Sequence, residues 1–589
     1  MKKTIYTLLC LLLAAGLSSC QDWFIEKPEV TGMDQDEVFS TAKNAEGAIA
    51  EAYGTILSSG LPVLVWNNSP IMPYETTEAI MGGEDLCRLT WGYMDKQVVA
   101  GMLANNENNG AGYTDDYFPN NYAYIRKAWL VYENIDKVAD MSDRDKAVVK
   151  AEMQVLVAFR YVEMLKRYGG VPLVESTLTT VDVRSRATVQ QTLDFIVELC
   201  QSAAATLEGV RWPADWLGRV NKGVALAVKA EALMYAARPL FNADAPYMQM
   251  ADPANNEMIW LGGYDAKRWE TARLANQEVI DWGKANGFEL IDTGDPVKDY
   301  GTAVGTPSNR EVLLAYKQQR ESDDNGIYKN YTFMPTHTGH DLGQYRGTGY
   351  GQLCQYRKAD GTDQTWAGVD DWRPAGEYRD KAEELEPRAQ ASLYFYGVNP
   401  KNNTGNSRWD LYQNWQLEYK WQDGCAKNIK FWYEAGSREW FEFPIYRMAE
   451  FYLNVAEAYN EEGNPTMALR YLNDIRGRGG IPDETQTDKV QLRRSIHREW
   501  AVEFYEENQW YPHARHWKEG ASMIGGAKYK FEFSQAPGVS WNPRKPEEFA
   551  NYTRKPSYVA EYMWHERMSL SPFTLSEVNK GYLVQNPGY

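Results

Sequence analysis

Apolar residues recur at three- and four-residue spacing through separate long stretches of this chain. In residues 149–168, Met153, Leu156, Phe159, Val162 or Leu165, and Tyr168 fall on one side of a helix, and Gly169-Gly170-Val171-Pro172 ends it. A stripe of that kind predicts a buried face, with residues 122–138 as its partner helix. Residues 222–237 repeat the spacing with small side chains, Ala225, Ala230 and Ala232, ahead of Tyr235. After an insertion at 239–262 rich in Pro, Asn and Asp, the pattern resumes with Trp269, Ala272, Ala275, Val279 and Ile280. The insertion therefore separates two helices of a pair. Residues 60–121 and 286–440 hold no sustained stripe and are rich in Gly, Asn, Asp, Pro, Trp and Tyr. Long irregular stretches inside a folded protein are usually functional. Short strands, short helices and loops are expected there, on one side of a helical platform.

The clearest pair lies at 448–482. Its first helix carries Ala449, Tyr452, Ala456 and Tyr459, a Gly463-Asn464-Pro465 turn follows, and the second helix carries Ala468, Leu472 and Ile475. Small residues let antiparallel helices approach while the larger ones fill the seam. Over about 34 residues this matches the tetratricopeptide pattern, with Ala456, Tyr459 and Ala468 in their expected places. The pairs at 122–168 and 222–284 read as degenerate copies, so the fold class is mostly α and the helices form a solenoid-like platform.

The first twenty residues change the picture. A basic start, an apolar run from Ile5 to Leu17 and then Leu17-Ser18-Ser19-Cys20 describe an export signal, since the run is short of the roughly 18–20 residues that span a bilayer. Small residues before Cys20 resemble the bacterial lipobox, which implies acylation of the Cys20 thiol, a mature chain beginning there, and a lasting hold on a membrane once two or more acyl chains are attached. About 570 residues then remain, enough for one large composite domain or several ordinary ones. The hydrophobic fraction of 44% is that of a folded protein, and a net charge of -18 with no basic cluster argues against nucleic acid. Cys87, Cys200, Cys354 and Cys425 are widely spaced and form no CxxC, so pairing and free buried thiols both stay open. Tyr (39) and Trp (21) both outnumber Phe (18), which favours rings that combine an apolar face with a polar handle.

Several motifs, in order, resemble the SusD-like (RagB/SusD) lipoproteins. They are Gln21-Asp22-Trp23 leading to Glu26-Lys27-Pro28, then Ala158-Phe159-Arg160-Tyr161 running to Tyr168-Gly169-Gly170-Val171-Pro172-Leu173. Phe443-Pro444-Ile445-Tyr446-Arg447-Met448-Ala449-Glu450 continues to Ala456-Glu457-Ala458, and Ile475-Arg476-Gly477-Arg478 is followed by Arg498-Glu499, Glu503-Phe504, Glu507, Arg515 and Trp517. Asn508, Trp510 and His513 depart from the family pattern, and there packing of the C-terminal helices is expected in place of local ion pairs. The resemblance implies a SusD-like fold, in which tetratricopeptide-like pairs form a right-handed superhelical platform beneath an irregular lobe with short strands. It implies a surface lipoprotein of the outer membrane that captures an oligosaccharide or polysaccharide, or in some members a peptide, for a SusC-like TonB-dependent transporter, without catalysis. The expected division is a signal at 1–19, an N-terminal region at 20–285 with a variable loop at 60–121, an aromatic-rich lobe at 286–440, and a C-terminal region at 441–589 holding the 448–482 pair.

Sugar capture needs flat apolar faces ringed by hydroxyl-bonding groups. Three irregular stretches supply both: Trp66-Asn67-Asn68 with Trp91-Gly92-Tyr93; Tyr328 and Tyr331 with Gln344-Tyr345-Arg346; and Trp366 with Asp371-Trp372-Arg373. The candidate glycan-binding residues are Trp66, Trp91, Tyr93, Tyr331, Tyr345, Trp366, Trp372 and Arg373. The histidine pairs His337/His340 and His513/His516 lack a third ligand, so solvated or packed imidazoles are expected. Glu321-Ser322-Asp323-Asp324-Asn325-Gly326 lacks the closing glutamate of a calcium loop. Adjacent acids such as Glu383-Glu384 and Glu506-Glu507 read as solvated faces, which leaves a lipid-anchored glycosidase as the weaker alternative. No GxSxG elbow, HExxH helix or phosphate-cradling loop occurs, and neither cofactor nor metal is expected.

Overall fold

The computed structural model describes residues 34–58, 118–177, 184–213, 216–319, 347–395, 425–428, 430, 440–505, 507, 509–535 and 552–589. Helices α1 (Ala42–Ser58), α2 (Phe118–Asn134), α3 (Asp143–Tyr168), α4 (Val189–Thr206), α5 (Lys222–Ala237) and α6 (Lys267–Asn286) come first. Short helices α7 (Pro296–Gly305), α8 (Ala375–Glu383) and α9 (Pro387–Ser392) follow. Then α10 (Met448–Glu461), α11 (Pro465–Arg478), α12 (Lys489–Glu503) and α13 (Trp510–His516) resume the platform. Each of α1 to α6 packs on the next in chain order, α6 packs on α10 across the intervening segment, and α11 and α12 continue the stack. Nearest-neighbour stacking of this kind is how a solenoid buries a continuous core.

The expected pairs are present as α2–α3, α5–α6 and α10–α11. Their ends are set locally. Ser142 Oγ accepts from Asp145 N at 3.1 Å to start α3, and Asn464 accepts from Met467 N at 3.2 Å with Pro465 in the first turn of α11. Gly169 stops α3 at φ +79, where a Cβ would sit 2.6 Å from the Met258 carbonyl oxygen. α5 approaches α6 through Gly223, whose missing Cβ leaves room for the Trp282 ring. The sequence reading gave α3 one apolar stripe. In the structure nearly every side chain from Val148 onward is buried, Glu163, Lys166 and Arg167 included, so α3 is a central spine rather than a one-faced wall.

The strands are β1 (Val312–Gln319), β2 (Gly347–Thr348), β3 (Arg373–Pro374), β4 (Leu393–Tyr394), β5 (Ala426–Asn428), β6 (Trp440–Arg447), β7 (Gly526–Gln535) and β8 (Tyr552–Tyr562). Their antiparallel sheets have the orders β1–β6, β2–β5–β4 and β3–β8–β7. β1–β6 leans on the platform through α1 and α5. A second core, including Tyr356, Tyr378, Leu385, Phe395, Tyr505 and Phe531, lies beneath the remaining strands. The C-terminal hairpin β7–β8 thus joins the lobe through β3. No helix among the described residues is long and apolar enough to cross a membrane.

Candidate functional site

Strand β7 alternates Tyr529, Lys530, Phe531 and Glu532, the two-residue period of a sheet with one wet face. Phe531 is buried in the second core, 4.4 Å from the Tyr378 ring, and the Arg554 guanidinium covers it at 4.5 Å. The register places Lys530 opposite Ser557 and Glu532 opposite Lys555, which defines a polar outer face. On the other side of β8, Arg373 pairs with Arg554. Trp372, one residue earlier, falls beside Lys555 and is 39% exposed.

Several contacts hold that indole in place. The Lys555 ammonium sits 4.9 Å from its ring centroid, donates to Asp370 at 2.9 Å and lies 3.7 Å from Glu532. Asp370 donates its N–H to the Pro556 carbonyl at 2.9 Å from a left-handed backbone, φ +63, which a short polar side chain tolerates. Arg373 Nε and Nη2 donate to Asp371 at 2.9 and 2.6 Å. The hydrogen bond that Arg373 gives to Asp371 pushes its pKa up, and the one that Lys555 gives to Asp370 pushes up Lys555. One indole face is backed by a cation, and Thr553 and Ser557 lie two residues to either side of that lysine on β8.

Trp372 and Arg373 are consecutive on this edge, Trp372 beside Lys555 and Arg373 across from Arg554. Trp366 lies behind them: its ring packs nearly parallel to Tyr378 at 6.1 Å, and its indole N–H is buried without a hydrogen-bond partner. Trp66, Trp91, Tyr93, Tyr331 and Tyr345, together with Cys20, lie outside the described residues. Lys555 and the exposed Tyr558, which meets Tyr529 edge-on at 6.2 Å, went unread in the sequence although β7 alternates plainly. Cys200 is a buried thiol whose pKa burial pushes up; Cys354 is exposed, Cys425 is buried, and Cys87 lies outside the described residues.

A buried charge network fixes this lobe to the platform. Arg388 on α9 donates to Glu386 at 2.9 and 2.6 Å, to Glu503 at 3.1 Å, and to Glu499. Arg447, at the end of β6, reaches Glu503 at 2.6 Å, Glu311 at 3.0 Å and Glu507 at 2.7 Å. Arg478 bonds Glu311 at 2.9 Å and also Glu503, and Lys430 bonds Glu507 at 2.6 Å. Burial alone would raise the Glu503 carboxyl, but Arg478, Arg447 and Arg388 outweigh it and hold it well below the carboxylate range. Burial pulls Lys430 down to about 8 against the opposing pull of Glu507. Carboxylates this thoroughly paired are supports, not general acids.

His513 and His516 serve packing; His337 and His340 lie outside the described residues. Burial lowers His513 to about 3, so the neutral ring donates from Nε2 to Glu457 at 3.2 Å, a carboxylate that Arg238 also bonds at 2.8 Å. His516 donates from Nε2 to the Lys166 carbonyl at 2.9 Å. The ring of Trp510 stacks on His513 at 5.6 Å. The departures at Trp510 and His513 therefore pack, with a hydrogen bond from a neutral imidazole where an ion pair was not expected; Asn508 lies outside the described residues. Among the described residues no group of three or more His, Cys, Asp or Glu is arranged to hold a metal ion.

Residues 310–589 match the model of the SusD family, and residues 90–231 match a model described as starch-binding associating with outer membrane. No curated protein matches the chain. Among solved structures, a SusD-like protein from Bacteroides fragilis is 22% identical, with 94% of this chain and 98% of that one covered at a TM-score of 0.68. A SusD-like carbohydrate binding protein from the same species is 18% identical, with 93% and 99% covered at 0.66. A SusD superfamily protein from Parabacteroides distasonis is 17% identical, with 92% and 99% covered at 0.58.

Proposed function

This chain belongs to the SusD family, and on that premise we propose that it is a surface lipoprotein that captures an oligosaccharide or polysaccharide and hands it to a SusC-like TonB-dependent transporter for import. The observation that carries the reading is Trp372: an exposed indole, braced from behind, at the rim of a flat polar sheet face. Such a ring stacks on the C–H face of a pyranose while neighbouring hydroxyl, carboxylate and guanidinium groups bond its hydroxyls. The starch-binding description of one matching family model, and the carbohydrate-binding title of one similar structure, support the ligand class.

Capture is non-covalent, with no bond made or broken. Trp66, Trp91, Tyr93, Tyr331 and Tyr345, on the irregular stretches, supply further rings, and acylated Cys20 tethers the body to the outer membrane. In this division of labour residues 20–285 and 441–589 furnish the platform and residues 286–440 most of the ligand-holding lobe. Shallow stacking gains little beyond the ordering cost of the glycan, so modest affinity per site is expected. Calorimetry of the mature chain against soluble oligosaccharides tests the reading. Binding that falls when Trp372 becomes alanine, while copurification with the transporter persists, supports it. Peptide binding with no response to any glycan overturns the ligand class.

A further inference from the structure

We infer that the Trp372 face selects uncharged sugar chains and rejects those bearing carboxylate or sulfate groups. This rests on the capture reading above and adds the class of ligand to it.

The argument is one of local charge. A site for uronate or sulfated glycans needs cations whose donors are available to the incoming anion, and arginine or lysine beside the stacking ring is the usual means. The cation against this ring, Lys555, and the one next to it in sequence, Arg373, already carry carboxylates. Lys555 is held by Asp370 at 2.9 Å and approached by Glu532 at 3.7 Å, and Arg373 gives two donors to Asp371. Lys530, one pair further along the same outer face, stands two residues from Glu532 on the same strand. Among the described residues three cations thus stand with three carboxylates, two of the cations directly paired, and the patch presents no net positive charge. An anionic sugar would have to displace Asp370 or Asp371 and leave that carboxylate beside its own charge, which is the arrangement that suppresses wrong partners at charged interfaces. The chain as a whole, at -18, adds a repulsive field at any distance within a Debye length.

Paired charges suit an uncharged chain. The carboxylates of Asp370 and Asp371 accept from sugar hydroxyls, and the remaining donors of Arg373 give to them, without any ion leaving its partner. The ammonium behind Trp372 also makes the outward indole face the one available for stacking, so the sugar chain lies along the sheet rather than between two rings.

Calorimetry at 0.15 M salt decides the matter with two panels on the mature chain: cello-, malto-, xylo- and manno-oligosaccharides, and oligogalacturonate, alginate oligomers and chondroitin sulfate. An uncharged probe is expected to bind, to weaken roughly tenfold or more in Trp372→Ala, and to outbind every anionic probe. In Asp370→Asn/Asp371→Asn, which releases both cations, binding of the anionic panel should rise while the uncharged probe weakens. An anionic probe bound as tightly, and lost in Trp372→Ala, overturns the charge class and leaves glycan capture standing. An uncharged probe whose binding ignores Trp372→Ala also overturns it, because the site is then elsewhere, and again capture stands. Silence from both panels removes the inference and the capture reading together.

Discussion

The seam beneath the lobe and the sheet face above it are built from the same arginine, lysine and carboxylate side chains, and they behave oppositely. In the seam, Arg388, Arg447, Arg478, Glu311 and Glu503 are out of water and each bonds more than one partner. Buried pairs cost much to desolvate and are held only when every member is matched, so removing one side strands the rest. On the sheet face, Lys555–Asp370 and Arg373–Asp371 lie at the surface, where pairs are screened and add little to stability. Buried charges hold the lobe in register; surface charges border the candidate site.

The sharpest way to break that contrast is at Arg447. Arg447→Met keeps the apolar stem and deletes the guanidinium, leaving Glu311, Glu503 and Glu507 short of a buried partner. A loss of about 3–5 kcal/mol is expected, read as a lowered urea midpoint or as failure to accumulate folded protein. A variant that unfolds with the wild type would mean the seam holds nothing.

Acid should act on the buried interior first. His513 is lowered to about 3 in the folded chain against an ordinary value of 6.5 when unfolded. Below 6.5 the unfolded chain takes up a proton that the folded one refuses until about pH 3, so stability present at neutral pH is lost as pH falls through that window. At pH 5 the loss is on the order of 2 kcal/mol. Glu457 and Glu503, both held low by their cations, add to it once pH drops past their ordinary range. Melting temperature against pH should therefore begin to fall near 6.5 in the wild type and stay flatter down to about 5 in His513→Gln.

How much of this was legible in the sequence follows from the same division. Helix pairs announce themselves through small and large residues at fixed spacing, and the ends of α3 and α11 were written in Gly169 and in Gly463-Asn464-Pro465. α1 and α4 went unread although Thr188 and Gln191 form a capping box at the start of α4, because a cap gives no tertiary partner. The seam was visible as motif residues, Arg447, Arg478, Glu499, Glu503 and Glu507, but not as a network: its members come from β6, α9, α11, α12 and the segments beside them, Glu507 is buried in it rather than on the solvated face expected of it, and no local pattern says which distant charge a buried arginine meets. For the candidate site, the Asp-Trp-Arg run singles out Trp372 and Arg373 by chemistry alone. Trp366, six residues earlier and similar in context, packs on Tyr378 behind the face, and Lys555, nearly two hundred residues away in sequence, stands behind the indole. Aromatic exposure is decided by the sheet beneath, which neighbouring residues do not encode.

The smallest expected effect sharpens the contrast most. Lys555→Gln removes a half-buried ammonium at the sheet surface, so melting temperature should stay close to the wild type, in contrast to Arg447→Met. What changes is the orientation of Trp372, which loses the cation behind its ring and the tie through Asp370 to the β8 backbone. A stacking surface that must be ordered at the moment of binding binds more weakly than one already held, and a fall of roughly two- to fivefold in glycan affinity is expected. Salt separates this from simple loss of a contact. Raising ionic strength from about 0.05 to 0.5 M screens Lys555–Asp370 in the wild type and should weaken its binding toward that of Lys555→Gln, while the variant stays nearly constant and the melting temperatures of both, set by the dry seam, move together. Equal salt responses in binding would mean that the ammonium touches the ring without positioning it.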